Sequence, residues 1–211
     1  MIYKLLIRKL YLDKEDFTVA SKLREYCKEL KLNYYSAISY LLTNKYVFRI
    51  LRGIFYVPSV EERKLKKINI NYMDAIARSL ELKGIKNWYF GFETSIKLNN
   101  LTHEYFTIDY IINDTLFRPK PIEIMEHKIK FIKLKKSLFG FGIMRNNKIN
   151  FSENEKTLLD FIYLYKYRGL SKKDIKNRTS ELIKHCSAKK VIRYSKRYNK
   201  EVAKFIGNIY D

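Results

Sequence analysis

The amino-acid sequence predicts an α+β chain of two domains. Three observations carry that expectation. Residues 1–57 hold three stretches of helical periodicity followed by a short hairpin. Residues 88–151 are rich in aromatic and β-branched side chains broken by turn signals. The remainder returns to helical periodicity, ending in an amphipathic basic stretch. A length of 211 residues suits one large domain or two small ones, and the boundary is expected near residue 66, giving domains 1–66 and 67–211.

Each element has its own signal. MIYKLLIRKLYL places Ile2, Leu5, Leu6 and Leu10 on one stripe of a first helix, which rules against a signal peptide because Lys4, Arg8 and Lys9 interrupt it and no small-residue cleavage site follows. Thr18 is expected to cap a second helix, VASKLREYCKELK, with Val19, Leu23, Tyr26, Cys27 and Leu30 inward. After the turn LKLN, Asn33 is a good N-cap for a third helix, YYSAISYLLTNK, burying Ala37, Ile38, Leu41 and Leu42. YVFRILRGIFYV then reads as two strands about a glycine-assisted reversal at Leu51-Arg52-Gly53, a type I turn with a glycine bulge, and Arg49 and Arg52 stand at its exposed end. PSVEERKLKKINI reads as a charged linker or a last strand.

Helix, helix, short turn, helix and hairpin in that order is the layout of a winged helix-turn-helix, whose third helix must show a hydrogen-bonding face to the major groove. The outward residues on and around that helix are Asn33, Tyr34, Tyr35, Ser36, Ser39, Tyr40, Thr43 and Lys45, joined by Arg49 and Arg52 of the wing. No carboxylate falls between Asn33 and Ser59.

In the second region Asn71 is expected to cap a helix through Leu80 that Gly84 stops. WYFGFETSIKLNNL reads as a strand leading into a helix, and EYFTIDYIIND as a strand. PIEIMEHKIKFIKLKK reads as two strands about Glu126–His127, and LFGFGIMRNNKINF as a hairpin turning at Asn146–Asn147. Ser152 and Glu155 match a capping box, S-x-x-E, opening a helix that Gly169 ends. Ser171 caps another, and a last helix is expected from Ser187 to Ile209. Its basic line, Lys189, Arg193, Lys196, Arg197 and Lys200, is a possible secondary surface for phosphates or an acidic partner.

Lys and Arg number 43 against 22 Asp and Glu, a net charge of +21. Such a field attracts polyanions, nucleic acid before an anionic membrane. Cys27 and Cys186 lie in no CxxC or Cys/His cluster, which disfavours a zinc site or a disulfide framework and points to a reducing, cytoplasmic setting. No apolar run is long enough to span a bilayer. His103, His127 and His185 are scattered, and neither a phosphate-binding glycine loop nor a nucleophile elbow occurs. The expectation is a protein without enzymatic activity, metal or cofactor. The alternative reading is a metal-dependent nuclease in which Asp114 and Glu126, near Asp109, hold Mg²⁺ and Lys128 steadies the attacking water. An RNA-binding protein is a third.

The wing RILRGIFY, the stretch YFGFETSIKLNNLTHEY, the FGFG of residues 139–142 and SENEKTLLDFIYL occur in an order that resembles the AbiE-type antitoxins, the DNA-binding regulator half of type IV toxin–antitoxin pairs. The resemblance covers residues 1–170. It implies an N-terminal winged helix on double-stranded operator DNA that represses its own operon. It also implies a C-terminal antitoxin domain acting against a nucleotidyltransferase-like toxin without stable contact. The positions it carries over are the third helix and the wing arginines Arg49 and Arg52.

Overall fold

In the computed structural model, which describes residues 2–210, helical periodicity and turn chemistry produce ten α-helices and two sheets among the described residues, an α+β fold. Met1, expected in the first helix, and Asp211 lie outside the described residues. Two compact units emerge, one running to Gly84 and including Ile124–Glu126, the other made of Ile85–Glu123 and His127 onward.

The first unit contains α1 (Lys4–Leu12), β1 (Phe17–Val19), α2 (Ala20–Glu29), α3 (Tyr34–Thr43), β2 (Phe48–Leu51), β3 (Ile54–Tyr56), α4 (Val60–Leu65) and α5 (Tyr72–Leu82). Its core is drawn from the first three helices and the hairpin's second strand: Leu6 and Leu10 of α1, Leu23 and Cys27 of α2, Ala37, Ile38 and Leu41 of α3, and Phe55 of β3. The strands form an antiparallel sheet in the order β1-β3-β2.

Three expectations change here. Thr18 does not cap α2: it lies within β1, paired with Phe55 and buried, and Val19 is the N-cap residue without a side-chain bond. A three-residue strand gives too short an alternation to stand out from a helix start. The charged run after Pro58 is neither linker nor strand but the helix α4. Ser59 Oγ accepts from the Glu62 N–H, and the Glu62 carboxylate accepts from the Ser59 N–H, a complete capping box that the S-x-x-E of Ser59–Glu62 could have signalled. The division between units falls after Gly84 and not near residue 66, because α5 packs on β2 and β3 and so belongs with the first unit. Asn71 does cap α5, accepting from the Met73 N–H at 2.8 Å, and Gly84 follows it at φ +74°.

Glu62 anchors this arrangement. It is 4% exposed, and its carboxylate accepts hydrogen bonds from the Tyr56 hydroxyl at 2.8 Å and from the Asn69 N–H at 2.6 Å, besides that of Ser59. Burial alone would raise its pKa, but these donors outweigh it and hold the carboxyl below its ordinary 4.5. The stabilisation is therefore present above the unfolded pKa and is lost as pH falls through the lower folded value. Glu62→Gln should cost about 1–3 kcal/mol at pH 7. It should also shrink the loss of stability between pH 7 and pH 3, measured by urea unfolding at both. An unaltered acid dependence would remove Glu62 from this role.

The second unit is built on a mixed six-stranded sheet in the order β6-β7-β5-β4-β9-β8. These strands are β4 (Trp88–Gly91), β5 (Ile108–Asn113), β6 (Ile122–Ile124), β7 (His127–Lys133), β8 (Ile143–Asn146) and β9 (Ile149–Ser152). β4 runs antiparallel to β5 and parallel to β9, and β5 runs parallel to β7. The helices are α6 (Phe92–Leu98), α7 (Asn154–Tyr167), α8 (Lys172–Lys184), α9 (Ala188–Ser195) and α10 (Lys200–Tyr210). Leu158, Leu159 and Ile162 of α7 join Tyr89, Ile112, Val191, Val202 and Phe205 in one core.

The turns shift by one residue from expectation. Met125 and Glu126, at φ +49° and +69°, reverse the chain between β6 and β7, and Asn147–Lys148 joins β8 to β9 with Asn147 at φ +53°. Ser152 does not cap α7. It closes β9, and its hydroxyl is 2.7 Å from that of Thr157, while Glu155 reaches away to accept the Ser187 N–H at 2.9 Å. The expected last helix is two, because residues 196–199 break it and Asn199 restarts the chain by accepting the Val202 N–H.

Candidate nucleic-acid interface

Helix α3 is entered by a real cap. Asn33 Oδ1 accepts from the Ser36 N–H at 3.0 Å and from Ser36 Oγ at 3.2 Å. With Ala37, Ile38 and Leu41 buried, the helical period turns Tyr35, Ser36, Ser39 and Thr43 to solvent. Tyr35 is 76% exposed, its ring edge-on to that of Tyr34 at 5.4 Å between centres. The structure separates these from the other expected readers. Tyr34 is half-buried, with the Arg24 guanidinium 4.8 Å from its ring centre. Tyr40 is half-buried between Tyr3 and Tyr46, at 4.5 and 6.1 Å between ring centres. Asn33 is used as a cap, and Lys45 follows the helix exposed, at φ +53°.

In the hairpin, β2 and β3 reverse at Arg52-Gly53, and Gly53 has φ +82°, a conformation that its missing Cβ makes inexpensive. The expected bulge exists, but it lies at Ile50, between Arg49 and Leu51, and not at the glycine. That extra residue buries both Ile50 and Leu51 and sends Arg49 outward. Arg52 is at the tip. Arg49 is not: it sits in the strand opposite Phe55, its guanidinium 5.7 Å from that ring centre. Both arginines are exposed. Lys83, at the end of α5, donates from Nζ to the Arg52 carbonyl at 3.1 Å and adds a third cation beside the turn.

The remaining candidates do not assemble. Lys189 and Arg193 lie on α9, Lys196 and Arg197 in the break, and Lys200 on α10; all are exposed, but they do not form the single helical line expected of them. The nuclease set is pulled apart. Lys128 pairs with Ile108 at the start of β5, whereas Asp114 follows its end, so parallel strands separate them by roughly 20 Å at about 3.3 Å per residue. Glu126 precedes β7 in the tight turn, further still from Asp114, which accepts from Asn87 Nδ2 at 2.6 Å. Asp109 is buried against the Thr94 hydroxyl at 3.1 Å.

The second unit contains instead a buried ionic centre. Lys156 and Asp160, one turn apart on α7, are both 0% exposed, with Nζ 2.6 Å from Oδ1. Lys156 also donates to the hydroxyls of Tyr89 and Tyr198, each at 2.8 Å. Those hydroxyls in turn donate to the two oxygens of Asp160, at 2.8 and 2.6 Å. Burial pushes the Lys156 ammonium below a lysine's usual range, and the charge of Asp160 opposes that. Burial first, then Asp160, raises both tyrosines. The four residues join β4, α7 and the α9–α10 break.

No protein-family model and no curated protein matches this chain. Among solved structures the chain is similar to the crystal structure of the RV2827C protein from Mycobacterium tuberculosis, with a TM-score of 0.58 and 10% identity over 99% of this chain and 75% of that one. At that identity the likeness is one of fold.

Sequence patterns had no means of finding Arg24, Lys83 or Arg63, whose guanidinium lies 3.6 Å from the ring centre of Tyr46. Each reaches its partner from another element. Lys156 and Asp160 did leave a signal: two opposite charges at i and i+4 around the apolar run of TLLDFIYL. Among the described residues no helix is long and apolar enough to cross a membrane.

Proposed function

We propose that this protein is a double-stranded-DNA-binding transcriptional regulator without enzymatic activity, acting through its first unit as a winged helix-turn-helix. The observation that carries this reading is that the hydroxyl strip of α3 and both Arg49 and Arg52 are exposed within one stretch free of carboxylates. The order α1-β1-α2-α3-β2-β3 and the strand order β1-β3-β2 support it, since a winged helix-turn-helix has a third helix followed by an antiparallel hairpin. The net charge of +21 supplies the attraction that brings protein and duplex together. Two unpaired cysteines suit the cytoplasm.

The antitoxin role rests on the resemblance of the motif order to the AbiE-type antitoxins. In it, the protein represses its own operon and counters a nucleotidyltransferase-like toxin. A nucleotidyltransferase-like reading frame beside this one, whose toxicity co-expression relieves, supports that part.

Duplex binding is tested by fluorescence anisotropy across a salt series. Log K should fall linearly with log salt, by about 0.9 per phosphate neutralised. Duplex should also outcompete a single-stranded RNA loop of equal length, which an RNA-binding protein would prefer. Absence of salt-dependent duplex binding, or a preference for the RNA, overturns the reading.

A further inference from the structure

The solvent strip of α3, Tyr35, Ser36, Ser39 and Thr43, spans about 100° of arc at 100° per residue. Every one of these side chains ends in a single hydroxyl. The residue types that read a base with two hydrogen bonds are Arg and Lys on guanine and Asn and Gln on adenine. None occurs between Tyr34 and Thr43. The asparagines at the two ends of the helix are engaged with the chain. Asn33 accepts from Ser36, and Asn44 Nδ2 donates to the Tyr40 carbonyl at 2.9 Å. A hydroxyl rotates to donate or accept, so it suits any base pair and discriminates weakly. What α3 can offer selectively is apolar contact, from the Thr43 methyl and the Tyr35 ring, to the methyl group of thymine.

Apart from Lys45, exposed just past the end of α3, the candidate cations of this surface lie off the helix. Arg49 and Arg52 are on the hairpin and Lys83 beside its turn. Arginine on a narrow projection matches the narrow minor groove of A-tracts, where the negative potential is enhanced. The guanidinium is also more weakly hydrated than an ammonium, so it enters such a groove at lower desolvation cost.

We propose that the DNA this surface selects is A·T-rich duplex, recognised mainly through its narrow minor groove by Arg49 and Arg52. Helix α3 contributes backbone contacts and thymine methyl contacts in the major groove. This inference rests on the duplex-binding reading and specifies its ligand.

Inosine provides the decisive probe. Replacing guanine by inosine removes the N2 amino group from the minor groove and leaves the N7 and O6 acceptors of the major groove unchanged. Three duplexes of about 21 bp, two helical turns, are titrated with the full chain at one salt concentration. They are an A-tract duplex, a G·C-rich duplex, and the same G·C-rich duplex with inosine for guanine. The A-tract duplex should bind at least about tenfold tighter than the G·C one, and inosine should recover most of that difference. Lysine at both positions, Arg49→Lys with Arg52→Lys, should keep the salt dependence and the G·C affinity while losing the preference. Equal binding of A-tract and G·C duplexes overturns the inference and leaves duplex binding standing. So does an inosine duplex that behaves like its guanine parent, because a major-groove reader sees no difference between them. A chain that binds none of the three overturns both readings.

Discussion

Replacing Asp160 by alanine should lower the stability of the second unit by about 3–5 kcal/mol, the usual cost of leaving one charge of a buried pair unpaired. The geometry explains the size. Asp160 is the carboxylate that faces the Lys156 ammonium, which is itself 0% exposed, and it receives both the Tyr89 and Tyr198 hydroxyls. Its removal leaves a cation facing two phenol oxygens and three aromatic rings, at 5.0 to 5.2 Å from their centres. Ring faces offset only a part of that cost, about 0.5–2 kcal/mol for each cation–π contact at best. The double variant Lys156→Met with Asp160→Leu should recover much of the stability, since two apolar chains remove the desolvation penalty together with the attraction. Urea unfolding followed by the fluorescence of Trp88, the single tryptophan, reads the second unit directly. A destabilisation below about 1 kcal/mol for Asp160→Ala, in the range of an exposed ion pair, would mean that the centre is not the anchor described.

Alanine at both Arg49 and Arg52 should weaken duplex binding and make the salt slope shallower by about one to two units, one for each phosphate no longer neutralised. The same double variant should cost no more than about 1 kcal/mol in stability. Arg52 is exposed at a turn, and Arg49 gives up only its packing over the Phe55 ring. The separation of effects is what makes the result informative. An altered slope with intact folding places the arginines at the DNA, and an unchanged slope removes the hairpin from the interface. Lys83 lies beside the same turn, so its substitution by alanine adds to the slope change only where the hairpin tip approaches the backbone.

The two units were unequally legible in the sequence. α3 was read with its cap and its buried face because Asn33, Ala37, Ile38 and Leu41 all obey local rules of period and capping. Yet the same rules cannot rank its outward residues. Tyr34 and Tyr40 share the helix with Tyr35, and only their neighbours from outside the helix, Arg24 and Tyr46, decide that they are half-buried while Tyr35, edge-on to Tyr34, stays exposed. Capping signals were ambiguous for a related reason. The S-x-x-E pattern occurs at Ser59 and at Ser152; the first is a cap, and the second is a strand end whose hydroxyl is taken by Thr157. A four-residue pattern is satisfied or overridden by whatever packs against it.

Residue type and local spacing were enough for the α+β class, the order of the main elements, the positive-φ glycines at Gly53, Gly84 and Gly169, the acid-free run through α3 and the hairpin, and the arginines of the hairpin. Short-range sterics and periodicity decide these, and both can be read along the chain. Three matters waited for the folded molecule. α5 joins the first unit, the last helix breaks at residues 196–199, and the charged face of α7 closes on Tyr89 and Tyr198 instead of facing water. The partners that settle them are distant in sequence. Tyr198 is 42 positions from Lys156, and α5 packs on the earlier strands β2 and β3. The free energy involved is that of burying and pairing those groups, and it exists only once the chain has folded.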